Sequence, residues 1–484
     1  SLVRCISNDA FLFYPPFYPL LSSVFIEMGR FAVMEEEKKK KLIKLPPEVL
    51  ADALLQLAEH DAMAERLVKR LISEPDDIIK SFRRKISGLK RRKKFIHRNE
   101  SRRFAAELDH LLEDLEHSKP DPGVGMSLIA CFLETDQAVF GNCDDSFGYI
   151  GDVYRYGARN LFTLYASRCT DKKLVLDLLI KTYSNDPYSV REGLIDKGLE
   201  MLGEEEANNA IHIFELLSGE VKDEYQKGQY FRAIESLARQ TGNAELFERI
   251  RMQSTEEPSV SSCIDIGRVY LESGFPHKAL EWINRISSDE TFMDRERREI
   301  LQEIYGQLGD SQKEAELAWL SFRKSRNLHT LDKLLKVIGE EKREQVIDDE
   351  AGFIIDDGKV DYSDIKFLID VRKFDEAEIC ILVMAGTQTL NGRFYETLLP
   401  MAKSMESEAR MLAAYVIYRA LLESILDRKF YKGYPHAAKY LRKLDHLAAE
   451  IEDWQDFGEH GMYHVWLNQV HGKKSSFWKH YRGE

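Results

Sequence analysis

Turn-forming residues are scarce here: only 13 prolines and 28 glycines punctuate 484 residues. An all-β fold needs more of them, because its many tight turns require backbone angles that glycine and proline supply. Cysteine is scarcer still. The six (Cys5, Cys131, Cys143, Cys169, Cys263 and Cys380) lie far apart, without the paired spacing of a disulfide framework. They read as reduced, mostly buried thiols of a cytoplasmic protein. No unbroken apolar run spans a bilayer, since the stretch Phe11 to Ile26 contains Pro15, Pro16 and Pro19. Also missing are Gly-x-Gly-x-x-Gly, a phosphate-binding loop with Gly-Lys-Ser/Thr and a Gly-x-Ser-x-Gly elbow. With no catalytic constellation and no cofactor or metal cradle, the reading leans away from an enzyme.

What is present favours helices. Hydrophobic residues make up 44% of the chain and charged residues 31%, which suits folded helices with charged outer faces. The expected class is all-α, with two or three domains or one long solenoid at this length. Residues 1–33 hold a lone early Arg4 and no small-residue cleavage signal, and Met34 opens Met-Glu-Glu-Glu-Lys-Lys-Lys-Lys. They are expected to be an extension outside the fold. Breaks at Ser118 to Gly123 and at Glu256 to Ser259 divide the rest. The expected regions are an N-terminal helical one over 34–118, a middle one over 124–255 and a repeat region over 259–484.

Helix starts are announced at Pro46-Pro47-Glu48, at Asp61 and at Glu74-Pro75-Asp76, by prolines and acids suited to a first turn. A fourth helix is predicted from Glu100 to Leu115 on the stripe Phe104, Leu108, Leu111, Leu112 and Leu115. An apolar helix is predicted from Met126 to Phe140, and Asp152 is expected to start the next. The clearest repeat signal comes later. Ile266, Gly267, Tyr270, Gly274, Ala279 and Ile283 stand at the spacings of a tetratricopeptide unit. Small Gly267 and Ala279 would let two antiparallel helices approach, Tyr270 would fill the seam and Gly274 would serve the turn. Tyr305 and Gly309 recur 35 residues on, followed by Ala315. Leu368, Phe374 and Ala377 give a degraded third copy, and Tyr418 with Ala437 and Ala438 a stretched fourth. Generic antiparallel hairpins are the plainer alternative.

Several segments resemble an uncharacterised bacterial domain-of-unknown-function family. They are Leu45-Pro46-Pro47 through the basic stretch to Glu107-Leu108-Asp109, Asp144 to Asp152, and the tail with Tyr434, Ala437, Ala438, Leu441, Phe457, Tyr463 and His471 to Trp478. The tail is also similar to the helical region that follows the zinc finger in SWIM-containing proteins. That finger needs a Cys-x-Cys pair followed by Cys-x-His, and neither occurs here. The resemblance implies a helical repeat protein and little more, and a zinc-dependent function cannot be carried over from it.

Between Lys80 and Arg103, twelve lysines and arginines face a single Glu100, a local charge of +11 in a chain of −13. Ile79, Phe82, Ile86 and Leu89 trace an apolar face, which leaves Arg83, Arg84, Lys90, Arg91, Arg92, Lys93 and Lys94 as candidate phosphate contacts for nucleic acid. Phe82 and Phe95 are expected in the core, so base stacking lacks support. The bland reading is a solvated face that complements the acidic remainder. Asp144, Asp145 and Asp152 form a candidate polar site, with a capped turn as the structural alternative. It fails as an EF-hand because the twelfth position is Arg155. His460 and His464 share a helix face, but the intervening Gly-Met-Tyr lacks the metalloprotease glutamate and no third ligand shows. They are read as packed or surface histidines, and Phe477-Trp478 with Tyr481 as a cap on the last apolar layer. The expected function is a scaffold that binds a protein or peptide in a helical-repeat groove, away from membranes, with nucleic-acid association as the alternative. Nothing in the sequence sets an oligomeric state.

Overall fold

The computed structural model describes residues 38–253, 257–387 and 390–484, so the expected extension over 1–33 lies outside the described residues. The chain is all-α. Among the described residues the one β pairing is an isolated parallel bridge between Ile96 and Cys143. Its bonds run from the Ile96 amide to the Asn142 carbonyl and from the Asp144 amide to the Ile96 carbonyl, both 2.9 Å. No helix among those described is long and apolar enough to cross a membrane. Contacts divide the chain into two compact units, one ending at Thr241 and one starting at Gly242.

The first unit opens with helices Pro47–His60 and Ala62–Ile72, which pack on each other. Asp61 ends one and caps the next by accepting from the Met63 and Ala64 amides at 2.6 and 3.2 Å. Helices Pro75–Lys90 and Ser101–Ser118 follow, joined by the irregular segment that carries the bridge. The single helix predicted from Met126 to Phe140 is two, Pro122–Leu133 and Asp136–Phe140. Thr135 stands at the break, where its hydroxyl donates to the Phe132 carbonyl at 2.7 Å and meets the Tyr154 hydroxyl at 2.6 Å. That local bonding competes with the helical ladder. It also turns Asp136 inward onto Arg191. The next helix starts at Tyr149, not Asp152, and widens into a π-helical turn over Val153–Ala158.

The second unit is an α-solenoid of antiparallel helix hairpins. Every substantial helix packing within it joins neighbours or next-but-one elements along the chain. Its hairpins repeat one turn. The helix pairs Val260–Glu272 with Pro276–Ile283, and Asp294–Leu308 with Ser311–Lys324, turn on Gly274 (φ 82°) and Gly309 (φ 72°). In both, the amide after the left-handed residue donates back five residues, Phe275 to Tyr270 at 2.8 Å and Asp310 to Tyr305 at 3.0 Å. The same bond closes the turns at Arg372 (φ 63°), Ala409 (φ 59°) and Lys429 (φ 53°), at 2.8, 2.8 and 3.1 Å.

Within the first hairpin, a Cβ built on Gly267 would stand 2.8 Å from Ile283 Cδ1 and 3.4 Å from the Ala279 carbonyl oxygen. Tyr270 is buried in the seam and donates its hydroxyl to Glu248, which also receives the Trp282 indole N–H at 3.2 Å. Gly267→Val is therefore expected to cost about 1–3 kcal/mol by overpacking. Guanidinium unfolding followed by tryptophan fluorescence, all five tryptophans lying in the second unit, should show the midpoint fall. An unchanged midpoint would mean the two helices have room to part.

Candidate binding cleft and histidine–carboxylate cluster

The basic stretch divides into two structural parts. Lys80 to Lys90 lies on the helix Pro75–Lys90, and Arg91 onward lies in the irregular segment beyond it. The helix seats Ile78, Phe82, Ile86 and Leu89 in the core, so the apolar face begins at Ile78, one residue before the expected Ile79. Phe95 corrects a second expectation. It is 46% exposed and meets only the edge of His97, with ring centroids 5.3 Å apart.

The seven candidate cations differ in their commitments. Lys90 Nζ binds Glu134 at 2.7 Å, and Lys181 reaches the same carboxylate at 2.9 Å. Burial raises that carboxyl, but the two lysines outweigh it and hold the group below its ordinary pKa. Arg92 is half-buried, lies over Phe104 at 4.5 Å and donates to the Lys94 carbonyl at 3.2 Å. Arg91 donates to the Ser87 carbonyl at 3.0 Å. Arg83, Arg84, Lys93 and Lys94 are exposed and make no ion pair among the described residues.

Concavities flank the basic helix on two sides. One, of about 690 Å³, is lined by Arg83, Ile86, Lys90, Val124, Leu128 and Leu174. The larger, of about 890 Å³, runs between the helices Ala62–Ile72, Pro75–Lys90 and Ser101–Ser118. Its floor is apolar, with Phe82, Leu89, Phe104, Leu108 and Leu111. Around its rim stand Arg66, Lys69, Arg84, Lys85 and Arg92 against Asp77, Glu107 and Asp114. Arg70 is held in the wall by Asp114 at 2.7 Å and Glu113 at 3.0 Å.

Asp144, Asp145 and Asp152 do not converge. Asp145 accepts from the Ile150 and Gly151 amides at 3.0 and 2.8 Å, which caps the short helix Tyr149–Asp152. Asp144 accepts from the Ser146 amide at 3.2 Å and from its hydroxyl, and these bonds lower its pKa. Asp152 faces Arg155 at 3.9 Å. All three carboxylates are occupied by local partners of the kind a capped turn uses.

A different group does converge. Among the described residues, the one set of three or more His, Cys, Asp or Glu side chains with mutually close ligand atoms is Asp445, His460 and His464, all within 4.8 Å. His460 and His464 lie one turn apart on the helix His460–His471, and both turn Nε2 toward Oδ1 of Asp445, at 2.9 and 2.8 Å. Asp445 comes from the preceding helix Tyr434–Ala448. The Tyr481 hydroxyl, from the helix Ser475–Arg482, donates to the other oxygen, Oδ2, at 2.6 Å. Burial raises the Asp445 carboxyl, yet the bonds from Tyr481, His464 and His460 prevail and hold it below its ordinary value. His460 Nδ1 meets the Tyr415 hydroxyl at 2.9 Å, and burial pushes the imidazole below its ordinary pKa. Phe477 and Trp478 are buried, Phe477 against Tyr434, whereas Tyr481 serves the cluster.

No spacing argument singles out Asp445, which precedes the histidines by 15 and 19 residues. One signal was available. Ala438, Leu441 and Asp445 fall on one helical stripe, and an acid in line with core residues sits at the edge of the core, where it needs partners.

The protein family described as a family of unknown function (DUF6880) matches residues 37–215 and 208–480. No curated protein matches the chain. Among solved structures, the chain is similar to one described as "Structure of Naa15/Naa10 bound to HypK-THB", with 12% identity and a TM-score of 0.32. The match covers 79% of this chain and 62% of that one.

Proposed function

Because the chain belongs to the DUF6880 family of unknown function, its role has to be drawn from its own geometry, and we propose a non-enzymatic scaffold that receives an acidic amphipathic helix of a protein partner. The observation that carries this reading is the cleft of about 890 Å³ along Pro75–Lys90, apolar on its floor and mainly cationic at its rim. A helix laid in such a groove buries its apolar face and turns acids toward the rim. Rim charges set orientation and association rate, and the floor, whose side chains are already largely buried, adds shape and a small apolar area. Nucleic acid fits the cleft less well, because phosphate contacts need no apolar floor and Phe82, the helix's aromatic, is buried.

The test is fluorescence anisotropy with two probes: a labelled Glu/Leu-rich amphipathic helical peptide and a labelled single-stranded RNA. The peptide should bind, and a permuted peptide of equal charge without an apolar face should bind at least tenfold more weakly. The double variant Arg84→Glu/Lys85→Glu should weaken the peptide by about tenfold, or about 1.4 kcal/mol. RNA binding that falls steeply with salt, with no preference between the two peptides, would replace this reading with the nucleic-acid one.

A further inference from the structure

We infer that Asp445, His460 and His464 form a binding site for one first-row divalent cation, with zinc the preferred occupant. The inference is independent of the cleft and goes beyond a scaffold role.

Its basis is the convergence on a single oxygen. Two imidazole Nε2 atoms approach Asp445 Oδ1 at 2.9 and 2.8 Å, and their rings cross at 85° with centroids 4.7 Å apart. Without a metal, that arrangement needs a proton on each Nε2, and both must point at one atom. A single cation among the three atoms replaces both protons and meets three ligands of the types zinc selects, imidazole nitrogen and carboxylate oxygen. Ligands of a tetrahedral zinc, each about 2.0–2.1 Å from the metal, stand roughly 3.3 Å apart. The two Nε2–Oδ1 distances, 2.9 and 2.8 Å, would open by roughly half an ångström to reach that spacing, and all three ligand atoms already lie within 4.8 Å of one another.

The surroundings suit that occupant as well. A histidine that ligates through Nε2 carries its remaining proton on Nδ1 and usually donates it to an oxygen. His460 Nδ1 already lies 2.9 Å from the Tyr415 hydroxyl. Tyr481 occupies Asp445 Oδ2 at 2.6 Å, which leaves Oδ1 as the ligand oxygen. The side chains of His460, His464 and Asp445 are 18%, 27% and 33% exposed, so the site is sheltered yet open to a small ion. Three protein ligands leave the fourth position to water or an exchangeable donor, as in zinc sites that act as Lewis acids. His460 and His464 lack the intervening glutamate of a metalloprotease helix, so only cation binding is inferred.

The full chain, stripped with EDTA, is titrated with zinc chloride against a chromogenic zinc chelator. One zinc per chain should be withheld from the chelator. His464→Ala and Asp445→Asn should each lose at least a hundredfold in affinity, and Tyr481→Phe roughly tenfold, the range expected when a ligand's outer partner is removed. Far-UV circular dichroism checks that each variant remains helical, and His464→Gln replaces any that does not. Cobalt in place of zinc should give visible bands without a thiolate charge-transfer band, which separates this site from the free cysteines such as Cys131. The inference is overturned if no zinc is withheld, if His464→Gln and Asp445→Asn bind as the parent does, or if the cobalt spectrum reports sulfur.

Discussion

Arg191→Met is expected to remove about 3–5 kcal/mol from the first unit, because it leaves a carboxylate stranded in the interior. Arg191 and Asp136 have side chains only 1% exposed, and they meet at 2.6 Å. The guanidinium also donates to the Leu133 carbonyl at 2.9 Å and to the Thr182 carbonyl at 3.2 Å. Those oxygens lie at the C-terminal ends of Pro122–Leu133 and Lys172–Ser184, where helical carbonyls lack partners and a cation is favoured. Burial raises the Asp136 carboxyl above its ordinary pKa, the guanidinium offsets part of that, and the same residue closes two helices. Asp186 holds the loop that delivers it, accepting from the Val190 and Arg191 amides at 3.0 and 2.8 Å. The loss should appear as a lower urea midpoint for the first unit. The double variant Asp136→Leu/Arg191→Met should recover much of it, since replacing both charges removes the unpaired ion. If the single and double variants were equally unstable, the helix-capping bonds would be the larger part, and the ion pair the smaller.

In the second unit, Glu350→Ala is expected to cost about 3 kcal/mol for a related reason. The Glu350 side chain has no exposure and takes Arg323 Nε at 2.6 Å and Arg326 Nε at 3.0 Å. Arg326 passes on to Asp364 at 2.7 Å, and Asp364 sits in the capping box that starts Tyr362–Asp370. Removing Glu350 leaves Arg326, itself only 12% exposed, with one acid where it had two. Arg323 is 46% exposed and can turn to water. Glu350→Gln keeps an acceptor and should cost about half as much. Thermal unfolding of the three proteins at neutral pH gives the order, and a glutamine variant as unstable as the alanine one would show that charge, not hydrogen bonding, dominates.

The fold was readable where a residue type has a single physical use. Asp61, Pro47 and Pro75 mark helix starts because their chemistry suits little else. Gly267 and Gly274 revealed the first hairpin because close approach and a positive φ both favour glycine. The later turns were illegible for the same reason in reverse. Arg372, Ala409 and Lys429 adopt that backbone geometry without being glycine, at a cost of roughly 1 kcal/mol each. The packed helices on either side hold them there. Asp136 was hidden too, since its partner Arg191 is 55 residues away and only the fold brings them together. The histidine pair was visible one turn apart, while its carboxylate waited on a neighbouring helix.

The packing of the second unit, each helix on its neighbours and next neighbours, makes its cohesion additive along one dimension. A fluctuation that lifts one hairpin disturbs the pairs beside it and fades beyond them. Amide protons in such a stack are released in blocks, not as one body, and the array can flex by small adjustments spread over many seams.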